Sequence, residues 1–456
     1  MDIIKDDILE LEITGIGMNG EGVGRVDGVV VFVPYALKGE RVRAKVAYVN
    51  KKYVKAALVE VIDKSPARVT PQCKVFTRCG GCDLQHIAYE TQLDIKTKNV
   101  DDVMNRLNKL NVKVEPCIAS PKLMGYRNKL QLPIAMRKGK VELGFYSENT
   151  HKVIPIDSCP QSSWSGSVIA AVKNWANDYN LTVYDETTEK GLLRHVVARE
   201  VAGRIMITLV VTSLRVPHID KLIEYLDKHF TDYTLYLNLN DRATNVITGD
   251  KLELVKGDKA LIGETLGIKY ALTPLSFAQV NTGVTELIYR QVADAVGSDE
   301  TVVDAYSGIG VMSCMIAKKA AKVYGIEIVR DAVNDANETA KMNGLDKKVI
   351  NVCGDCAEVL PDLIKKVRAE NTGNITVVLD PPRKGCDERV LSATIESKPN
   401  KIIYVSCNPA TLARDLCVLT GGGEYKIDTL QPYDMFPMTR HVETVTVLSY
   451  KNTRTL

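Results

Sequence analysis

The sequence predicts three domains: a small N-terminal β-barrel, a mixed α+β middle, and a C-terminal α/β domain with a parallel sheet. Three observations carry this. The 456 residues are too many for one ordinary core. Before residue 65 the strand-like runs are short and punctuated by glycine, whereas after residue 273 near-continuous apolar runs alternate with helical stretches. Between them lies a cysteine-rich loop followed by a segment of neither character. The expected boundaries are 1–65, 66–272 and 273–456.

In the first region Ile8–Ile13 alternates apolar and acidic residues, and glycines at 15, 17, 20, 22 and 24 then bend the chain. Strand-like runs return at Val29–Pro34, Arg41–Val46 and Ala56–Ile62. Four or five short strands joined by glycine-rich turns predict a small barrel of the OB type. Residues 1–37 carry two Lys/Arg against seven Asp/Glu, and residues 38–74 carry ten against three. Such a basic block suits a polyanion, because neutralised phosphates release counterions; a solvated charged face is the plain alternative. Tyr48, Lys51, Lys52 and Tyr53 are placed to supply the basic, aromatic face on which these barrels bind single-stranded nucleic acid.

The middle region contains an amphipathic helix over Tyr89–Leu110 and strands at Lys129–Ile134 and Arg204–Val211, but its topology does not follow from the pattern. Apolar residues make up 45% of the chain and charged residues 25%, as in ordinary globular proteins. No run approaches the roughly 20 apolar residues of a membrane helix, and the acidic start, Met1–Asp7, is not a secretion signal. The reading is cytoplasmic, with no membrane and no obligate protein partner. Eleven cysteines, scattered and without a secretion signal, favour metal binding or catalysis over disulfides.

The third region is a parallel sheet covered on both faces, from strands at Thr301–Tyr306, Lys322–Glu327, Val349–Val352, Ile375–Asp380 and Lys401–Ser406. After the first strand, Ser307-Gly308-Ile309-Gly310 brings backbone close to a ligand. Only two glycines are present, so a pyrophosphate-containing dinucleotide is disfavoured. Glu327 ends the second strand, where an acid accepts both ribose hydroxyl hydrogens. Asp355 follows the third strand, where it would face an adenine amino group, and Asp380-Pro381-Pro382-Arg383 follows the fourth. Each acid alone reads as a turn or cap residue; together, on consecutive strands, they point to a nucleoside cofactor, S-adenosylmethionine by preference.

Ser406-Cys407-Asn408-Pro409 closes the fifth strand and opens a helix. A thiol at a helix N-terminus is expected to have its thiolate favoured, which makes Cys407 the candidate nucleophile, although a lone cysteine after a strand is more often inert core. Glu443, before a terminal strand at Thr444–Leu448, is the candidate general base, with His441 its rival. The spacing of Cys73, Cys79 and Cys82, with Cys159-Pro160 downstream, suits four-thiolate ligation of either an iron–sulfur cluster or zinc. Cys353 and Cys356 are read as non-ligating.

With these motifs, Ser276–Asn281 and Phe436–Glu443, the sequence resembles the RNA 5-methyluridine methyltransferase family. It is most similar to three-domain members with an N-terminal TRAM domain and an iron–sulfur cluster, among them the bacterial 23S ribosomal RNA enzymes. The resemblance covers essentially the whole chain. It implies a Rossmann-like methyltransferase domain, Cys407 as nucleophile and Glu443 as base. It also implies cofactor contacts from Gln279, Tyr306, Glu327, Asp380 and Asp355. For Cys73, Cys79, Cys82 and Cys159 it implies a [4Fe–4S] cluster. The expected reaction is methyl transfer to carbon 5 of a uridine through a covalent Cys407 adduct. The expected partner is RNA, with 23S ribosomal RNA favoured over transfer RNA. Ala278 and Val311 depart from the residue types common at their positions without removing a reacting group. The rivals are an N6-adenine methyltransferase built on Asp380–Arg383, an RNA-binding module with an inactive cofactor fold, and an iron–sulfur redox protein.

Overall fold

The computed structural model describes residues 3–370 and 373–451; Met1 and Asp2 of the acidic start lie outside them. Strands β1 (Ile8–Ile16), β2 (Gly22–Val26), β3 (Val29–Val33), β4 (Arg41–Val49) and β5 (Tyr53–Asp63) close a barrel in the order β1-β2-β3-β5-β4. Alternation puts Leu9, Leu11 and Ile13 inside and Glu10 and Glu12 outside, as a period of two requires. Gly22 and Gly24, expected to bend the chain, lie within strand β2. The glycines are needed because backbone passes so close: a Cβ on Gly24 would stand 2.4 Å from Glu12 O, and one on Gly22 would stand 2.7 Å from Ala36 O.

Much of the basic block is neutralised by neighbouring strands. Arg41 pairs with Asp63 and Glu10, Arg43 with Glu60 and Glu10, and Lys45 with Asp6. Exposed pairs of this kind are worth roughly 0–1 kcal/mol, so they tune charge more than stability. Lys51, Lys52 and Lys55 have no ion-pair partner among the described residues. They flank Tyr48 and Tyr53, whose rings lie 6.2 Å apart.

The middle region is a seven-stranded sheet. Strands β6 (Lys129–Arg137), β7 (Lys140–Tyr146), β8 (Val153–Pro155), β9 (Leu193–Val201), β10 (Arg204–Val211), β11 (Tyr233–Leu239) and β12 (Lys251–Lys256) run in the order β12-β11-β10-β9-β6-β7-β8. All neighbours are antiparallel except β10 and β11. One face is sealed by the helices Ser165–Asp178 and Ile219–Asp227 around the fully buried Trp175. Leu235 and Leu237 point into that core, so Tyr236 between them faces the other way, beside its cross-strand partner Leu254. A hairpin, β13 (Leu261–Thr265) and β14 (Ile268–Leu272), leads to the C-terminal region.

There the strands are β15 (Thr301–Ala305), β16 (Lys322–Glu327), β17 (Val349–Cys353), β18 (Ile375–Leu379), β19 (Lys401–Ser406), β20 (Tyr425–Tyr433) and β21 (Glu443–Tyr450). They are ordered β17-β16-β15-β18-β19-β21-β20. Strand β21 runs antiparallel to its neighbours and the first five are parallel. Val303 and Val377 enter one core and Val302 and Val378 the other, so both faces are covered. The winding direction reverses between β15 and β18, and ligands of open α/β sheets bind in the crevice above such a reversal.

The expected helix Tyr89–Leu110 is shorter and irregular: α-helix over Tyr89–Asp101, then a π turn over Asp102–Leu107. Asn108 donates its side-chain N–H to Val103 O, and Lys109 and Asn111 turn left-handed, which ends it. Its buried face packs Val100, Val103 and Met104 onto the core of the C-terminal sheet. Among the described residues, no helix is long and apolar enough to cross a membrane.

Candidate active site

The crevice between β15 and β18 opens into a cavity of about 1610 Å³ bounded by the C-terminal strand ends, the 273–282 loop and the free face of the middle sheet. Gln279, Tyr306, Gly308, Glu327, Asp355, Asp380, Cys407 and Glu443 all line it. Gly310 does not. Its left-handed backbone (φ 76°) starts the next helix, and a Cβ there would meet Ala336 at 2.9 Å, so it serves helix packing. Tyr306 also has a left-handed backbone (φ 67°), a conformation that is costly for a bulky residue.

The cavity gathers carboxylates. Glu327 accepts backbone hydrogen bonds from Gly308 (3.1 Å) and Val329 (2.8 Å), which pin it beside the glycine turn. Burial pushes Asp380 up to about 7, with Asp304 adding to the rise. Asp304, beneath it, is likewise raised by burial to about 7 and receives a hydrogen bond from Ser313 Oγ at 2.5 Å. Asp355 is partly committed: it accepts from Ala357 N (2.9 Å) and pairs with Arg389 (3.2 Å). A pocket this rich in acids suits a cation, since opposite charge restores the ionised carboxylates.

Cys407 sits where β19 passes into the helix Pro409–Gly421. Local contacts fix this turn. Ser406 Oγ accepts from Asn408 N (3.2 Å), Asn408 Oδ1 accepts from Ala410 N (3.1 Å), and Asn408 Nδ2 donates to Arg383 O (3.1 Å). The expected thiolate-favouring effect of the helix end is not what prevails. Burial pushes Cys407 up to about 11; Glu443 adds to the rise, Arg383 opposes it, and Asp380 raises it further. A backbone hydrogen bond from the N–H of Cys407 itself also opposes the rise, while Pro409 has no N–H and that of Ala410 is taken by Asn408. Arg383, quoted in the Asp-Pro-Pro-Arg motif but given no role there, is the cation that opposes the rise on both Cys407 and Glu443.

Glu443 opens β21 and is buried. Burial raises it well above the usual carboxylate range, Asp380 adds to that, and Arg383 opposes it. His441 is held near 4 by burial with help from Arg383 and Arg440, and it does not line the cavity. The turn before Glu443 is held from outside its own sheet. Phe436 O accepts from Lys96 Nζ (3.1 Å), Pro437 O from Tyr126 OH (3.2 Å), and Met438 N donates to Gln92 Oε1 (3.1 Å). Met438 O accepts from Asp83 N and Leu84 N, and Arg440 pairs with Asp83 at 3.0 Å. Sequence reasoning missed this support, and it missed Phe277, which is 73% exposed at the cavity's lip. An apolar ring one residue after Ser276 and two before Gln279 was the available signal.

Asp83 and Leu84 directly follow the cysteine-rich loop. Burial and, against a hydrogen bond from Gln85, the nearby thiols of Cys159, Cys79 and Cys73 push Cys82 up to about 12. Cys159 rises to about 11 by burial with Cys79 and Cys73 among the contributors. The four thiols thus lie within electrostatic reach of one another. Among the described residues, no group of three or more His, Cys, Asp or Glu is arranged to hold a metal ion. Cys353 and Cys356 lie at β17 and the following helix, away from this loop.

Strand order, the glycine turn and the acids at successive strand ends define the class: an S-adenosylmethionine-dependent methyltransferase. Comparisons narrow it. A profile of tRNA (Uracil-5-)-methyltransferase matches residues 88–451, and one of the TRAM domain matches residues 7–59. A protein of Halalkalibacterium halodurans named an uncharacterized RNA methyltransferase is 43% identical over 98% of both chains. One of Clostridium tetani with the same name is 41% identical over 98% of this chain and 97% of its own. Among solved structures, a Pyrococcus abyssi tRNA (uracil-54, C5)-methyltransferase in complex with S-adenosyl-L-homocysteine is similar with a TM-score of 0.78 and 28% identity. That likeness covers 96% of this chain and all of the other. The chain belongs to the tRNA (Uracil-5-)-methyltransferase family of RNA methyltransferases and carries an N-terminal TRAM domain.

Proposed function

We propose that this enzyme methylates carbon 5 of a uridine in RNA through a covalent adduct on Cys407. The observation that carries the reading is that Cys407 and Glu443, from different strands, line one acid-rich cavity. Carbon 5 of uracil is a poor nucleophile, and addition of a thiolate at carbon 6 makes it enolate-like. Cys407 forms that bond to carbon 6. S-adenosylmethionine, when bound, supplies the electrophilic methyl group. Glu443 then removes the carbon-5 proton, and Cys407 leaves as thiolate, restoring the double bond. Arg383 favours the charged forms of both groups, the thiolate and the carboxylate, as these steps require. The cofactor is assigned to Gln279, Tyr306, Gly308, Glu327 and Asp380, with Asp355 beside them; the pinned carboxylate of Glu327 suits the ribose hydroxyls.

The target base has to leave its stack to reach a cavity of this kind. The barrel's Tyr48, Tyr53 and unpaired lysines suit a single strand. Ribosomal RNA is the preferred substrate on the resemblance of the motifs to the bacterial 23S ribosomal RNA enzymes; transfer RNA is the second reading, favoured by the Pyrococcus abyssi structure, which is alike over 96% of this chain. Cys73, Cys79, Cys82 and Cys159 would hold a [4Fe–4S] cluster, which their all-thiol donor set fits, with zinc as the rival. The methyl transfer consumes no electrons, so such a group would shape the loop that reaches Met438 or position the RNA. Iron, acid-labile sulfide and zinc quantified in anaerobically purified protein separate the two.

Mass spectrometry of RNA nucleosides, mapped by position, tests the function in cells lacking the protein. Loss of 5-methyluridine at defined sites, restored by wild type and not by Cys407→Ala, is expected, and the site names the RNA. Unchanged 5-methyluridine at every position contradicts the reading.

A further inference from the structure

Lys96 and Asp434 form an ion pair with no side-chain exposure on either partner. Asp434 also accepts from Tyr89 OH at 2.8 Å, and that oxygen in turn accepts from Ser120 N. Lys96 reaches past Asp434 to Phe436 O. The pair therefore ties one helix to two points of the turn that runs into Glu443. Burying both charges is a poor way to gain stability, because desolvation offsets the attraction and an apolar pair of equal volume does as well. What the pair adds is geometry. An apolar pair would let the turn slide, whereas an ammonium held by a carboxylate and a carbonyl fixes residues 434 and 436 at once. The ring of Phe436 lines the cavity and packs edge-on to His441, their centroids 6.0 Å apart.

We infer that the buried Lys96–Asp434 pair is a positioning device for the proton-abstracting step: it sets the turn that delivers Glu443. This rests on the reading of Glu443 as base. Removal of the carbon-5 proton is the step that releases the RNA. A misplaced base therefore leaves adduct formation and the first methyl transfer intact and blocks their resolution. A merely structural role would weaken every step together.

The test compares wild type, Glu443→Gln and the double variant Lys96→Met/Asp434→Leu, which leaves no charge stranded. Each is incubated with S-adenosylmethionine and RNA from cells lacking this protein. Single-turnover methyl incorporation, multiple turnover, adduct on denaturing gels and thermal melting are read in parallel. The double variant is expected to melt near wild type and to transfer the first methyl group within a few-fold of it. Multiple turnover should fall by ~10²-fold, the lower range for losing general-base catalysis, with RNA trapped on the protein. Tyr89→Phe, which removes the hydrogen bonds to Asp434 and from Ser120 N but no charge, should show a smaller effect of the same kind. Wild-type turnover without trapped RNA in these variants overturns the inference, and so does an equal loss of first and later turnovers. Absence of trapped RNA in Glu443→Gln instead overturns the assignment of the base.

Discussion

The two sides of the cavity are built in opposite ways. Cys407 is held by its own neighbourhood: Ser406, Asn408 and the Arg383 carbonyl, all in the C-terminal region. Glu443 stands at the end of a turn whose main polar contacts come from residues 83–126, more than 300 positions earlier in the chain. The proposed nucleophile needs a fixed sulfur and an open approach, which one strand-to-helix turn provides. A buried carboxylate raised by its surroundings depends on whatever packs over it, and here that cover belongs to another part of the molecule.

Four results would break or sharpen this contrast. The largest effect is expected at the reacting groups. Cys407→Ala should abolish both adduct and methyl transfer, while Glu443→Gln should slow turnover by ~10²–10⁴-fold and keep the adduct. Radiolabelled methyl transfer with denaturing gels reads both, and equal loss of adduct in the two variants would erase the division of labour. Next, Lys96→Met alone strands a buried carboxylate and should destabilise the protein by ~3–5 kcal/mol, read by denaturant unfolding. Third, the thiol of Cys407 is pushed up to about 11, so the thiolate fraction should keep rising with pH. Alkylation in the ligand-free protein should climb about tenfold per pH unit through pH ~9; a plateau near neutrality would mean that the helix end governs the sulfur after all. The smallest effect is local: Asn408→Ala removes a cap worth ~1 kcal/mol, and it should shift melting slightly while leaving the Glu443 side untouched.

The same division explains what the sequence disclosed. The strands Lys322–Glu327, Arg204–Val211 and Lys401–Ser406 were legible to the residue, because interior strands buried almost throughout write themselves as near-continuous apolar runs. Glu327, Asp355, Asp380 and Cys407, each expected at or just after the end of its own apolar run, line the cavity, whereas Glu443 opens its strand. Strand β2 was hidden by glycines that exist to admit a neighbouring backbone. The helix 89–101 read as amphipathic, yet its fully buried face includes Gln92 and Lys96, polar residues whose partners lie at 434–438 and leave no mark near positions 92 and 96. The order of the middle sheet was equally silent, since pairing β6 with β9 across two hairpins is decided by packing around Trp175. The rise on the thiol is non-local in part: the cap at Asn408 was readable, but the carboxylates that add to it, Asp380 just after β18 and Glu443 in β21, come from elsewhere in the sheet.

The central claim is chemical, and the most direct measurement is peptide mapping of the species trapped by Glu443→Gln after digestion with nuclease and protease. The account predicts the mass of a 5-methylated uridine nucleotide on a peptide containing Cys407 and on no other cysteine. RNA that methylates without any cysteine-linked nucleotide, or one linked elsewhere, would contradict it.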